Sequence, residues 1–469
     1  MDNKYELLCY ETDASRIKGT VVKVYHPETV EEVKKIVNES EFDIVSRGSG
    51  TNLVGGCVPN NSIVVDMRKM NKVTNYDPSK QTILVEAGVT LKELNEKLKQ
   101  INKEFPICIN EQSTIGGMIA INCIGDKSLR YGVMKEFVEE LEFVNGNGEI
   151  VKIGRLDLSD VCGMEGVTGI IVRAKLRLIS IPKKSLSIFQ SDNLKDIITI
   201  ARVLKNERQV VSLKFYSKKI STFLGFPEKY HLFIGFDSEQ GKIIGEEYDK
   251  IINKISYDYY FIYKHSYSVS EDFKLYYDKI EDFITFLEEL NIPYIGDLGL
   301  TIINPFFKLE SDKINKVITY IKKTGGKKGR YGIGLKRKYL IDNLEEKIIL
   351  RTKNRLDPFW KFNNGKLIDR TNIRETNSLN KDLSIIKEEL NFDNKGDNTK
   401  TDYNLIKSVM TNTSKENNQE ITNMKNKSIN KDSEFSKLNE KDLINKIMTN
   451  NLNNISKKIN INEEKNNEH

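Results

Sequence analysis

Histidine and cysteine are scarce in this chain of 469 residues, and their scarcity removes whole classes of chemistry. The four histidines, His26, His231, His265 and His469, are scattered with no pair at metal-ligand spacing, so no site for a soft or borderline metal is expected. The five cysteines, Cys9, Cys57, Cys108, Cys123 and Cys162, stand singly with no Cys-x-x-Cys pair. That pattern argues against an iron–sulfur cluster or structural zinc and reads as reduced packing thiols. No stretch approaches the ~20 apolar residues of a membrane span, and the first apolar run, Leu7 to Tyr10, is too short for a signal peptide. A cytoplasmic location is the expectation. The basic excess is small, +6 overall, and no nucleic-acid motif accompanies it, which argues against DNA or RNA as a partner. With 38% hydrophobic and 30% charged residues, the chain has the composition of two or three soluble domains.

Glycine, by contrast, is concentrated where it can do chemistry. Arg47-Gly48-Ser49-Gly50-Thr51-Asn52-Leu53-Val54-Gly55-Gly56 follows an apolar strand expected at Phe42 to Val45, and such a turn can bring bare backbone N–H groups against a phosphate. No Gly-Lys-Ser/Thr closes it and its third glycine is misplaced for Gly-x-Gly-x-x-Gly, so neither common nucleotide loop fits. The alternative is that these glycines merely serve tight turns.

The flanking blocks decide between the two. His26-Pro27-Glu28-Thr29-Val30-Glu31-Glu32-Val33, Val85-Glu86-Ala87-Gly88-Val89-Thr90, Ser113-Thr114-Ile115-Gly116-Gly117 and Arg130-Tyr131-Gly132 surround the turn in a fixed order. In order and spacing they resemble the FAD-binding domain of the vanillyl-alcohol oxidase (PCMH-type) flavoproteins, nearest the glycolate oxidase and D-lactate dehydrogenase branch. The resemblance covers residues 17–180 strongly and 325–368 more weakly. It implies that Arg47, Gly48, Ser49, Gly50, Thr51, Asn52, Gly55 and Gly56 hold the FAD pyrophosphate, and that Ser113, Thr114, Gly116 and Gly117 line the phosphate and ribityl chain. Asn122 and Gly125 match an Asn-x-x-Gly, and Glu165, Gly166, Gly169 and Ile170 match a Ser-Glu-Gly-x-x-Gly-Ile, implied to lie near flavin and adenine. No histidine stands in the turn, so noncovalent FAD is expected. Ile124 occupies a usual glycine, and Gly154 to Cys162 is shorter than its counterpart and lacks a Gly-Tyr-Asp element, which points to a rebuilt wall beside the flavin ring.

The fold expected is α+β: a two-lobed PCMH-type FAD-binding domain over residues 1–181, a ferredoxin-like α+β cap over 182–324, a return segment over 325–370, and a low-complexity tail over 371–469. Capping-box spacing at Thr29/Glu32 and Thr90/Glu93 predicts two helices, and apolar runs predict strands at Ile63 to Met67, Ile83 to Ala87, Leu141 to Val144 and Ile170 to Ile179. Asn145-Gly146-Asn147-Gly148 predicts a hairpin turn. In the cap, the pattern predicts strands at Ser185 to Gln190, Val210 to Tyr216 and His231 to Phe236, and helices near Leu194 to Leu204, Ile244 to Ile255, Asp278 to Leu290 and Asp312 to Lys323.

Metal-dependent relatives carry a His-x-Gly-Asp-Gly-Asn-x-His run and a later Glu-His-Gly. Here these read Tyr294-Ile295-Gly296-Asp297-Leu298-Gly299-Leu300-Thr301 and Arg330-Tyr331-Gly332, so both ligand imidazoles are replaced and no metal is expected. Arg330, with Lys336, Arg337 and Lys338 nearby, suits an anionic small-molecule substrate, although each charge taken alone reads rather as solvated. Tyr331 could donate a hydrogen bond to substrate, act as a base if nearby cations lowered its pKa, or simply pack.

Three functions remain in view. The first is an oxidoreductase that takes hydride from the hydroxyl-bearing carbon of a 2-hydroxy acid, passing electrons to oxygen, a quinone or an iron–sulfur partner protein, and the second a flavin-carrying subunit whose own substrate site has decayed. A flavin-free nucleotide-binding or scaffold protein is the third.

Past Arg370 the chain is rich in Asn, Lys, Ser, Glu and Ile, with almost no glycine or aromatic residue and no proline or cysteine, too little apolar surface to offset its ordering entropy. Disorder is expected there, with short helical patches at Leu383 to Leu390 and Leu438 to Ile447 as the alternative. Deleting residues 371–469 is therefore expected to leave flavin content and melting temperature nearly unchanged. Flavin loss or a large fall in melting temperature on truncation would make the tail part of the fold.

Overall fold

The structure of the protein is a computed structural model that describes residues 7–107 and 109–370. The expectations for residues 371–469 and for Cys108 lie outside the described residues. Three parallel strands open the first lobe, in the spatial order Thr20–Tyr25, Asn60–Asp66, Ile44–Arg47. Between the two outer strands runs the helix Val30–Glu39, which buries Val30, Val33 and Val37 at helical spacing. Its cap is half the predicted box. Thr29 accepts from the Glu32 N–H, but the Glu32 carboxylate reaches past it to the Glu28 N–H at 2.8 Å. The Thr90/Glu93 box ahead of Leu91–Lys99 is complete, a cap whose loss typically costs about 1 kcal/mol.

The second lobe is a five-stranded antiparallel sheet in the order Val73–Asp77, Thr82–Glu86, Ile170–Arg177, Val138–Val144, Ile150–Gly154. The last two strands form the predicted hairpin, whose turn is held by the Asn145 side chain accepting from the Asn147 and Glu149 N–H groups, both at 3.0 Å. One hydrophobic core joins the lobes, from Val33 and Val65 through Leu94 and Ile119 to Leu141 and Val172.

The cap contains more than the predicted unit. Its strands Ser185–Ser191, Tyr230–Phe236 and Val210–Tyr216 lie in that order with helices Leu194–Leu204 and Gly245–Ser256, the arrangement expected of a ferredoxin-like half. A second half follows it. Phe273–Lys274, Ile280–Glu289, Tyr294–Asp297, Ile302–Lys308, Lys313–Thr324 and Lys327–Lys328 repeat the order β-α-β-β-α-β, with their strands arranged Tyr294–Asp297, Ile302–Lys308, Phe273–Lys274, Lys327–Lys328. The halves join edge to edge where Lys214, Phe215 and Tyr216 pair with Asp297, Gly296 and Ile295. This join sets Lys214 opposite Asp297.

The chain then returns. The helix Asn343–Leu356 ends at a buried Lys353–Asp357 ion pair of 2.5 Å, and the Asp357 carboxylate also accepts from the Lys361 and Phe362 N–H groups. Phe362 bridges in parallel to Ile44, so the return segment extends the first lobe's sheet. Among the described residues, no helix is long and apolar enough to cross a membrane.

Candidate functional site

The glycine-rich turn leaves the strand Ile44–Arg47 two residues later than the sequence suggests. Ser49, Gly50, Thr51 and Asn52 each present a backbone N–H that meets no acceptor among the described residues. Four successive unpaired donors in one half-buried turn fit a pyrophosphate, which offers several strong acceptors and two negative charges. Gly50 sits at φ +70°, and a Cβ there would strike the Arg47 guanidinium. Thr51 and Ser113 hydroxyls meet at 3.3 Å and line the same turn.

Several expected contacts have other duties. Arg47 donates to the Thr12 carbonyl at 2.8 Å and the Cys9 carbonyl at 3.3 Å, tying the N-terminal segment over the turn. The Asn52 side chain accepts from the Val54 N–H at 2.9 Å and the Gly56 N–H at 2.8 Å, which shapes the turn and uses the Gly56 amide internally. Thr114 caps Ile115–Ala120 and accepts from the Gly117 N–H at 3.3 Å, while the Gly116 N–H donates to the Ala87 carbonyl at 2.8 Å. Gly116 is needed for packing, because a Cβ there would lie 2.8 Å from that of Ala87. Gly48 packs in the same way on Thr114, and Gly55 and Gly56 lie against Leu335 and Asn52.

Asn122 accepts from the Lys135 N–H at 2.9 Å, and the Gly125 N–H donates to Ser128 at 2.9 Å, so both order the loop that carries Asp126. Glu165 is fully inside the protein, where it accepts from the Ile333 N–H at 2.7 Å and the Gly334 N–H at 2.8 Å. Burial pushes its carboxyl up despite those two donors. It therefore clamps the return segment to the first domain. Gly166 lies beneath Asn363, and Gly169 leads into the strand that Ile170 opens.

Arg330 and Tyr331 stand where the first domain meets the cap. The Arg330 guanidinium binds Asp126 of the first domain and, at 2.6 Å, Asp297 of the cap. Its backbone N–H and that of Tyr331 both donate to Asp272. Two carboxylates thus offset the positive charge that the sequence left open. Of its five N–H donors, three stay uncommitted, and the side chain is partly open. The Tyr331 hydroxyl touches that of Tyr259 and accepts from the Asn304 amide at 3.1 Å. Its pKa moves opposite to the direction a base requires: burial, reinforced by Asp272, pushes it up to about 12, and Arg337 does not reverse this. Asp297 is the exception in this cluster. Burial lifts it to about 6 against the pull of Arg330, with Asp126 adding to the rise.

The replaced ligand positions serve the cap's own structure. Tyr294 is buried with its hydroxyl on Glu288 at 2.7 Å, and Thr301 occupies a tight turn at φ +60°. Among the described residues, no three His, Cys, Asp or Glu side chains converge as a metal site. Sequence reasoning missed Asp126, Tyr259, Asn304 and Asp272. The first was one residue from the quoted Asn-x-x-Gly block; the others are isolated polar residues on cap elements and carried no motif.

Residues 20–154 match the family model described as FAD binding domain. The chain carries an FAD-binding domain. This domain resembles a D-lactate dehydrogenase of Anaerostipes hadrus, 30% identical over 43% of this chain and 45% of that protein. A D-lactate dehydrogenase of Archaeoglobus fulgidus is 34% identical over 34% of this chain and 38% of its own, and a glycolate oxidase subunit of Bacillus subtilis 32% over 39% and 43%. The chain thus spans less than half the length of the curated relatives it matches. The solved structure of an alkyldihydroxyacetonephosphate synthase superimposes with a TM-score of 0.58 at 17% identity, covering 77% of this chain and 81% of that one. The shared fold therefore runs through the cap as well as the FAD-binding domain.

Proposed function

We propose that the protein is an FAD-dependent oxidoreductase that oxidises the CH–OH group of a 2-hydroxy acid. The observation that carries this reading is the Asp126–Arg330–Asp297 cluster, a guanidinium fixed in orientation with donors to spare, at the junction of the FAD-binding domain and cap. The names of the relatives, D-lactate dehydrogenase, glycolate oxidase subunit and D-2-hydroxyglutarate dehydrogenase, support the substrate class.

The Ser49 to Asn52 amides with the Thr51 and Ser113 hydroxyls would hold FAD noncovalently, and the bound cofactor would supply the hydride acceptor. Arg330 binds the substrate carboxylate through its uncommitted N–H groups, the planar fork that suits such a group. Tyr331 and Tyr259 stay protonated at neutral pH and, with Asn304, hold the substrate oxygen by hydrogen bonds. The hydroxyl proton leaves toward Asp297, the group nearest neutrality in the cluster. No step in this scheme is routed through a metal. The electrons pass to a separate acceptor, oxygen, a quinone or an iron–sulfur partner protein, and the free thiols at Cys9, Cys57, Cys123 and Cys162 suit a cytoplasmic location.

Asp297 must be ionised to accept the proton, so flavin reduction should speed up as pH rises through about 6 and level off above it. Asp297→Asn should slow reduction roughly 10²- to 10⁴-fold and abolish that dependence. A pH profile of reduction rates in stopped flow checks both. An unchanged profile in the variant removes Asp297 from the mechanism.

A further inference from the structure

Lys366 is buried to 2% of its exposed surface, in the return segment beneath the phosphate turn. Its ammonium donates to the Asn363 side-chain oxygen at 3.3 Å. The amide end of Asn363 in turn donates to the Gly56 carbonyl at 3.3 Å and the Glu165 carbonyl at 2.6 Å, so Lys366 stands one side chain away from the end of the turn. Asp13, Asp43, Glu165 and the Cys57 thiol face it from the N-terminal segment, the strand entry, the clamp and the turn. Yet among the described residues no carboxylate forms an ion pair with it, and one long hydrogen bond uses one of its three donors.

A buried cation without a paired anion is costly, and proteins seldom keep one unless something compensates it. The four amides of Ser49 to Asn52, which meet no acceptor among the described residues, add positive potential in the same turn. We infer that Lys366 is a binding residue for the FAD pyrophosphate, acting through the turn, with the two phosphate charges serving as its missing counter-ion.

The inference has an unusual consequence for pH. Burial lowers the Lys366 pKa to about 8, and two nearby phosphate charges would raise it again. Below about pH 8 the residue is already charged and FAD binds at full strength. Above that, binding must bring a proton with it, so affinity falls as pH rises until the pKa of the bound form is reached. It also separates stability from binding. Lys366→Met removes a buried charge, so it should raise the melting temperature of the flavin-free protein while weakening FAD.

The test is the FAD dissociation constant of the full-length chain between pH 6 and pH 10, read by flavin fluorescence, for wild type, Lys366→Met and Lys366→Arg, with riboflavin as the phosphate-free probe. Wild type should hold FAD constantly below about pH 8 and lose about tenfold per pH unit above it. Lys366→Met should bind FAD about tenfold more weakly at neutral pH and show no such slope, Lys366→Arg should bind tightly without the slope, and riboflavin should show none with any variant. Unaltered FAD affinity in Lys366→Met, or the wild-type slope persisting in Lys366→Arg, would overturn the inference. A readout of binding alone keeps this result independent of the substrate reaction.

Discussion

Gly50→Val should yield a folded protein without flavin. At φ +70° a β-branched side chain is held in the left-handed region, and its Cβ would strike the Arg47 guanidinium that ties down the N-terminal segment. The backbone penalty alone is about 1–2 kcal/mol, well inside the ~5–15 kcal/mol stability of an ordinary domain, so the fold survives. The turn does not survive as a cradle. Moving Gly50 off its angles disperses the N–H groups of Ser49, Gly50, Thr51 and Asn52. The check is the flavin-to-protein ratio of the purified variant beside its circular dichroism. Wild-type flavin content in Gly50→Val would mean that the turn is structural and that FAD is held elsewhere.

Arg330→Leu has the second large effect, on both stability and catalysis. Removing the guanidinium takes the paired cation from Asp126 and Asp297 and leaves Lys214 as the cation acting on Asp126, and breaking the buried Arg330–Asp297 pair in this way costs about 3–5 kcal/mol. Asp297, already lifted by burial and by Asp126, would rise further and hold its proton through neutrality. Flavin should remain bound, because the Arg330 guanidinium pairs with Asp126 and Asp297 and with no residue of the phosphate turn. The substrate KM should rise about 100-fold or more as the charge-assisted contact to its carboxylate is lost. Steady-state kinetics with thermal melts measure both effects. A variant with wild-type KM would show that Arg330 is only a strut between the FAD-binding domain and the cap.

The legibility of the sequence differed between the two halves of the site. The FAD side could be read because a phosphate demands backbone donors, and those demand glycine in a fixed local pattern; Gly48 to Gly56 states this within ten residues. Even there, glycine was ambiguous. Gly116 and Gly117 were expected to line the phosphate and ribityl chain; in the structure one is also small to admit Ala87 and the other also feeds a helix cap. Glu165 was expected near the flavin; its clamp on the return segment was not legible, because its partners Ile333 and Gly334 lie far along the chain and no local pattern announces them. The substrate side is built almost wholly from such distant partners. Asp126, Asp297, Tyr259 and Asn304 meet Arg330 and Tyr331 only after the cap sheet has closed, and single polar residues on amphipathic elements look like ordinary surface. The second ferredoxin-like half was hidden for a related reason. Its first and last strands along the chain, Phe273–Lys274 and Lys327–Lys328, are only two residues long, too short to show an alternating pattern.

The most direct test of the functional account is anaerobic mixing of the purified, FAD-loaded chain with D-lactate, glycolate and D-2-hydroxyglutarate while the flavin absorbance is followed. The account predicts that at least one of the three bleaches the yellow oxidised flavin, and that Arg330→Leu slows the bleaching. A flavin that dithionite reduces but that stays oxidised with all three acids would contradict it, and would make the chain a flavin carrier without a working substrate site.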